Sequence, residues 1–146
     1  MSVNPRVQDV VRQSWPKRQP RVSKRSKGDF SQAVKHLVDT RAKDMCELDG
    51  CGPIEVYHHR RPRGSGGSGL PWVGQAANCL GLTNRCHDWV EGKITGSSRT
   101  VSTENGWLVS MNGSVRADAV KVLYRGKDVY LTDDGRVVPA SKEGKA

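Results

Sequence analysis

Apolar positions recur along this chain at two different periods, and the change from one to the other divides it. Over residues 29–44 Phe30, Val34, Leu37 and Val38, followed by Met45, fall three, four and seven apart, the spacing of a helix with one buried face. Asp29 or Ser31 stands where such a helix is capped. Residues 46–51 read as a knuckle bounded by Cys46 and Cys51. Residues 54–58 then predict a short strand, with Ile54 and Val56 alternating against Glu55 and Tyr57. Residues 60–77 contain five glycines and two prolines, which predicts a long loop. Asn84 is a candidate cap for a second helix over 85–93, which puts His87 and Glu91 on one face and Cys86 and Val90 on the next. Beyond a Gly/Ser/Thr-rich connection at 96–106 the pattern turns to β, with strands expected at 107–110, 119–125, 129–132 and 137–138 and turns at 125–128 and 133–135. The expected class is α+β, with no internal repeat.

Composition limits what this pattern can build. The 146 residues suffice for one domain, but only 35% are hydrophobic and the mean hydropathy is −0.64, so the core is small and external support, such as a metal, is expected. The net charge of +9 favours a polyanionic partner. Its location says more than its total. Residues 1–28 carry eight basic side chains, Lys24 and Arg25 among them, against one acid, so they hold seven of the nine positive charges. With Pro5, Pro16 and Pro20 breaking any long helix, this segment reads as a mostly disordered basic arm with at most one short helix over 6–14. The expected organisation is then an arm over 1–28, a central domain over 29–95, and a β-rich extension over 96–146 that ends in a flexible tail. No stretch approaches the roughly 18 apolar residues of a membrane span, and four cysteines without a signal sequence suggest the reducing cytoplasm and free thiols.

The reactive side chains concentrate in one stretch: His58 and His59, then Asn78, then Cys86 and His87. Tandem histidines on a strand direct their imidazoles to opposite faces, so one can ligate a metal while the other accepts a proton. A lone histidine such as His36 carries no such implication.

The segment CELDGCGPIEVYHHRRPRGSGGSGLPWVGQAANCLGLTNRCHDWVEG resembles an HNH endonuclease of the kind found in actinobacteria and their phages, closely over residues 46–91 and more loosely at 106–109 and 131–135. The resemblance implies a small ββα-metal core, treble-clef-like, with a flanking helix and a C-terminal β-hairpin region. It also implies metal-dependent cleavage of DNA to 5′-phosphate and 3′-hydroxyl ends. His58 and His87 match the metal-binding positions, His59 the general base, and Asn78 the central asparagine, which either restrains the base or, as in some relatives, ligates the metal. Glu91 stands where some relatives carry a further ligand. It is either that ligand, favouring a harder cation such as Mg²⁺ or Mn²⁺ with Zn²⁺ or Ni²⁺ as the alternatives, or an ordinary solvated carboxylate.

Paired cysteine knuckles in such proteins commonly bind a structural Zn²⁺. Cys46 and Cys51 supply one pair, but Thr83 occupies the position expected for the partner of Cys86. Either Cys79 replaces the missing ligand, or three thiolates bind zinc with another group, or the site holds none; Cys79 as a small core residue is the plain alternative. Arg60, Arg61 and Arg63 follow the base and read as phosphate contacts or as solvated loop side chains, and Lys24 and Arg25 as phosphate contacts of the arm. Trp89 reads as core from its place on the helix, while Trp72 stays open between core and groove. The expected partner is DNA, with a phage-encoded role beside the packaging terminase in the host cytoplasm as an associated expectation. The competing reading is a non-catalytic zinc-knuckle module that coats nucleic acid.

Overall fold

The computed structural model describes residues 28–64 and 68–140. The arm that includes Lys24 and Arg25, the middle of the glycine-rich loop and residues 141–146 lie outside them. Helix α1 runs over Gln32–Ala42 and is capped by Ser31, whose hydroxyl accepts the Val34 N–H at 3.2 Å. Its buried positions Val34, Val38 and Ala42 keep the four-residue spacing of the sequence pattern. Left-handed Lys43 and Asp44 end it and turn the chain into the knuckle, which closes through Cys46 N–H to Gly52 O at 2.7 Å and Gly50 N–H to Cys46 O at 2.8 Å.

Strand β1, Val56–His59, pairs antiparallel with β2, Cys79–Leu82, in a register that sets His58 opposite Leu80 and His59 opposite Cys79. Helix α2, Asn84–Val90, follows directly. Its cap is Thr83 rather than Asn84, because Thr83 has the extended backbone and its hydroxyl accepts the Cys86 N–H at 3.2 Å. Between the strands, 3₁₀ turns at Pro71–Gly74 and Ala76–Asn78 break the expected loop.

The C-terminal part departs more from expectation. Residues 96–106 contain a helix, α3, Arg99–Glu104, capped by Ser98. Residues 107–110 are not a strand: the N–H groups of Trp107 and Leu108 both turn back to the Ser102 carbonyl and only the Val109 N–H reaches across, to the Arg60 carbonyl at 2.8 Å, with 107–109 buried and Ser110 exposed. The remaining sheet is β3, β4 and β5 (Val122–Tyr124, Lys127–Leu131 and Val137–Pro139), an antiparallel meander with left-handed Arg125 and Gly126 at its first turn. The architecture is α+β. Among the described residues no helix is long and apolar enough to cross a membrane.

One apolar cluster joins the central stretch over 29–95 to the β-rich extension that follows it. It joins Cys46, Leu80, Leu82, Cys86 and Val90 to Trp107, Leu108, Val122, Tyr124, Val129 and Leu131, so the sheet packs directly on β2 and α2. Buried polar ties cross the same boundary. Glu47 receives Arg41 through both carboxylate oxygens, at 2.5 and 2.9 Å, the Gly81 N–H at 2.8 Å and the Tyr124 hydroxyl at 2.9 Å. Arg125 reaches back from the β3–β4 turn to the carbonyls of Ala42, Met45 and Cys46.

Candidate metal centre

His58, His87 and Glu91 converge where β1 meets α2. Alternation along the strand turns His58 inward, where it is only 3% exposed, and the i,i+4 spacing on α2 brings His87 and Glu91 to the same side. The two rings lie 5.2 Å apart, and Glu91 Oε1 is 3.6 Å from His58 Nδ1 and 3.8 Å from His87 Nε2. One donor atom from each residue falls within 4.8 Å of the others, so the three can share a metal ion. The protonation state decides what faces what. Burial lowers the His58 pKa to about 4, so the ring is neutral at pH 7 despite the nearby carboxylate. Its Nε2 lies 2.9 Å from the Trp107 carbonyl, which only accepts; Nε2 therefore carries the proton and Nδ1 presents a lone pair to Glu91. A carboxylate and an imidazole lone pair facing one another repel, and a cation between them reverses the sign. Orientation of a ligand imidazole by a carbonyl on its other nitrogen is the usual support for such a site. The donor set of two imidazoles and a carboxylate thus fits a divalent metal.

His59 takes the other face of β1. Its ring stacks on Phe30 at 3.9 Å and 16°, and Nε2 sits 2.7 Å from the Gly28 carbonyl. That contact again assigns the proton to Nε2 and leaves Nδ1 as the basic nitrogen. Burial first, and then Arg63, lower the His59 pKa, so it too is neutral at pH 7. A shallow groove contains His58, His59, Arg63, His87 and Glu91 together.

Asn78 is fully buried and braces the chain just past His59. Its Oδ1 accepts the Arg61 N–H at 2.8 Å, and its Nδ2 donates to the carbonyls of Arg61 at 3.1 Å and Val73 at 2.9 Å. Both ends of the amide are engaged with backbone, the arrangement of a positioning residue.

The three arginines after His59 separate in role. Arg60 is 0% exposed and donates to the carbonyls of Ala77, Gly106, Ala117 and Val120 at 2.7–3.0 Å. Its expected phosphate contact is therefore corrected: the side chain ties the end of β1 to the C-terminal part and has no face for DNA. Burial lowers its pKa to about 9, which still leaves it charged at neutral pH. Arg61 donates to Gly113 O at 2.8 Å and lies over the Trp72 ring, whereas Arg63 pairs with Asp29 beside the groove. Trp72 is buried, and Trp89, expected in the core, is 38% exposed, because α2 buries Cys86 and Val90 instead.

A second donor group lies under the knuckle. Cys46, Cys51 and Cys86 come together with Asp49, one donor atom from each falling within 4.8 Å of the others. The Sγ atoms of Cys51 and Cys86 are 3.4 Å apart, and Asp49 Oδ1 is 3.7 Å from Cys86 Sγ and accepts the Cys51 N–H at 3.0 Å. Cys79 is not among them, which corrects its expected ligand role. It is 0% exposed and packs with Phe30, Val34, Val38 and Ala76, while its neighbours Leu80 and Leu82 belong to the other cluster. Burial pushes its thiol well up. Sequence reasoning missed Asp49, although an acid two residues before Cys51 was a visible signal. Neither a protein-family model, nor a curated protein, nor a solved structure gives a significant match to the chain.

Proposed function

We propose that this protein is a metal-dependent DNA endonuclease. The observation that carries the reading is a neutral histidine with an uncommitted nitrogen, His59 Nδ1, in the same groove as the His58, His87 and Glu91 donors. His58, His87 and Glu91 would hold a divalent cation, Mg²⁺ or Mn²⁺ by the carboxylate share, which would supply positive charge against the charge that builds on a phosphodiester under attack. His59 Nδ1 removes a proton from the attacking water, whose oxygen forms the new bond to phosphorus as the bond to the 3′ oxygen breaks. Protonation of that oxygen from solvent leaves a 3′-hydroxyl and a 5′-phosphate. The Gly28 carbonyl keeps the Nε2–H in place and favours the imidazolium as it forms. Asn78 holds the backbone that follows the base, and Arg63 lends the groove positive charge for a phosphate. The strand–strand–helix order around the site supports reading this part as a ββα-metal core.

The Cys46, Cys51, Cys86 and Asp49 group supports a structural Zn²⁺, since three thiolates and a carboxylate make a four-coordinate set. The same group is what favours the rival reading, a nucleic-acid-binding zinc module without catalysis. Supercoiled plasmid incubated with the wild type and with His59→Ala, under Mg²⁺, Mn²⁺ or EDTA, separates the two. Nuclease action gives metal-dependent nicking that falls about 10²- to 10⁴-fold in the variant while DNA binding persists. Equal nicking by both proteins removes the base from His59, and binding without any nicking by the wild type leaves the module.

A further inference from the structure

Glu91 turns only one oxygen to the two histidines. The other, Oε2, is engaged by the Arg99 guanidinium, which comes from α3 and is more than half exposed. The contact is built rather than incidental. Gly92, at φ +74°, leaves no side chain where a Cβ would lie 3.1 Å from Arg99 Cγ and 3.3 Å from Arg99 N, so the start of α3 can lie against the end of α2. Buried Ser102 fixes the approach by donating to the Val90 carbonyl at 2.7 Å. Arg99 also occupies the first turn of its helix, where a cation runs against the helix dipole. Its placement there does not serve α3.

We propose that Arg99 is the built-in counter-cation of the His58–His87–Glu91 centre, holding the Glu91 carboxylate and competing with the divalent ion for it. This rests on reading those three residues as cation ligands. A guanidinium on one carboxylate oxygen leaves Glu91 as a single-oxygen donor and repels an incoming dication, so it lowers affinity. Because the pair is exposed, salt weakens that opposition.

The test is Mn²⁺ binding to the full-length protein without DNA, followed by the loss of the free-ion EPR signal. Arg99→Gln should bind Mn²⁺ about tenfold more tightly than wild type at low salt. The gap should shrink toward 1 M salt, where the screening length falls to about 3 Å. Arg99→Lys, which keeps the charge, should stay near wild type. In a Glu91→Gln background the Arg99→Gln gain should shrink to the part that direct charge repulsion supplies. Equal or weaker binding by Arg99→Gln, a gain undiminished without Glu91, or no Mn²⁺ binding by either protein overturns the proposal. The plasmid assay is read separately. Tighter binding with no nicking sinks only the nuclease reading, and nicking with unchanged Mn²⁺ affinity sinks only the counter-cation.

Discussion

His58 has a pKa of about 4 in the folded chain, against about 6.5 for an exposed imidazole, because burial disfavours its charged form. The unfolded chain then binds the extra proton over the interval between those values. Stability is complete above about pH 6.5, falls as the pH drops toward about 4, and levels off below it; the total loss is on the order of 3 kcal/mol. Thermal melts of the metal-free protein across that interval should show this decline, and His58→Asn should remove most of it. A variant that keeps the wild-type slope would assign the proton uptake to another group. Arg60 shows how a residue's type can mislead about its use. Three arginines beside a candidate base read as a phosphate clamp, yet this one lies on four carbonyls. Its charge is offset by backbone dipoles, and no local pattern in the sequence signals that.

At the level of elements, Gly106 is the most constrained junction. At φ +75° it passes so near β3 that a Cβ would meet the Lys121 carbonyl at 2.0 Å, and backbone on backbone has no room to yield. Gly106→Ala should therefore shift the segment that carries the Trp107 carbonyl away from His58. The expected cost is about 2–3 kcal/mol or more in stability, together with weaker metal binding, read from denaturant melts and Mn²⁺ titration. A stable variant with unchanged titration would show that the junction moves freely. The helix α1 was legible because Phe30, Val34, Leu37 and Val38 recur at helical spacing, and β1 because Ile54 and Val56 alternate with Glu55 and Tyr57, although the strand itself runs over Val56–His59. Strand β2 was not: all four of its residues are buried, so it shows no alternation, and Gly81 is there because a Cβ would lie 2.5 Å from Ile54 Cδ1. Helix α3 was hidden by serines and threonines of low helix propensity, and it is held by the Ser98 cap and the Ser102 contact to α2. Spacing put His87 and Glu91 on one face of the helix and split His58 from His59 on the strand, and the structure brings His58, His87 and Glu91 together; their roles came only from the family resemblance. Arg99 was not legible, since it acts through a contact with a residue that another element delivers.

Among the described residues the principal apolar cluster draws on both the knuckle and the C-terminal sheet, with Cys46 and Cys86 inside it. If zinc closes the Cys46, Cys51, Cys86 and Asp49 group, metal content and global stability should move together. Zinc retained after purification should be near one per chain in the wild type and in Cys79→Ser, and near zero in Cys46→Ser. A strong chelator should lower the melting temperature of the first two and leave the third unaffected. Cys79→Ser should show only a packing defect of about 1–2 kcal/mol. Zinc loss in Cys79→Ser with retention in Cys46→Ser would reverse the assignment.

The hydrogen bond from His58 to Trp107 spans 49 positions of sequence. Excising residues 46–91 as a portable cassette, or grafting them onto a foreign scaffold, would transfer every proposed catalytic-site donor side chain yet abandon the acceptor that selects which ring nitrogen faces the cation.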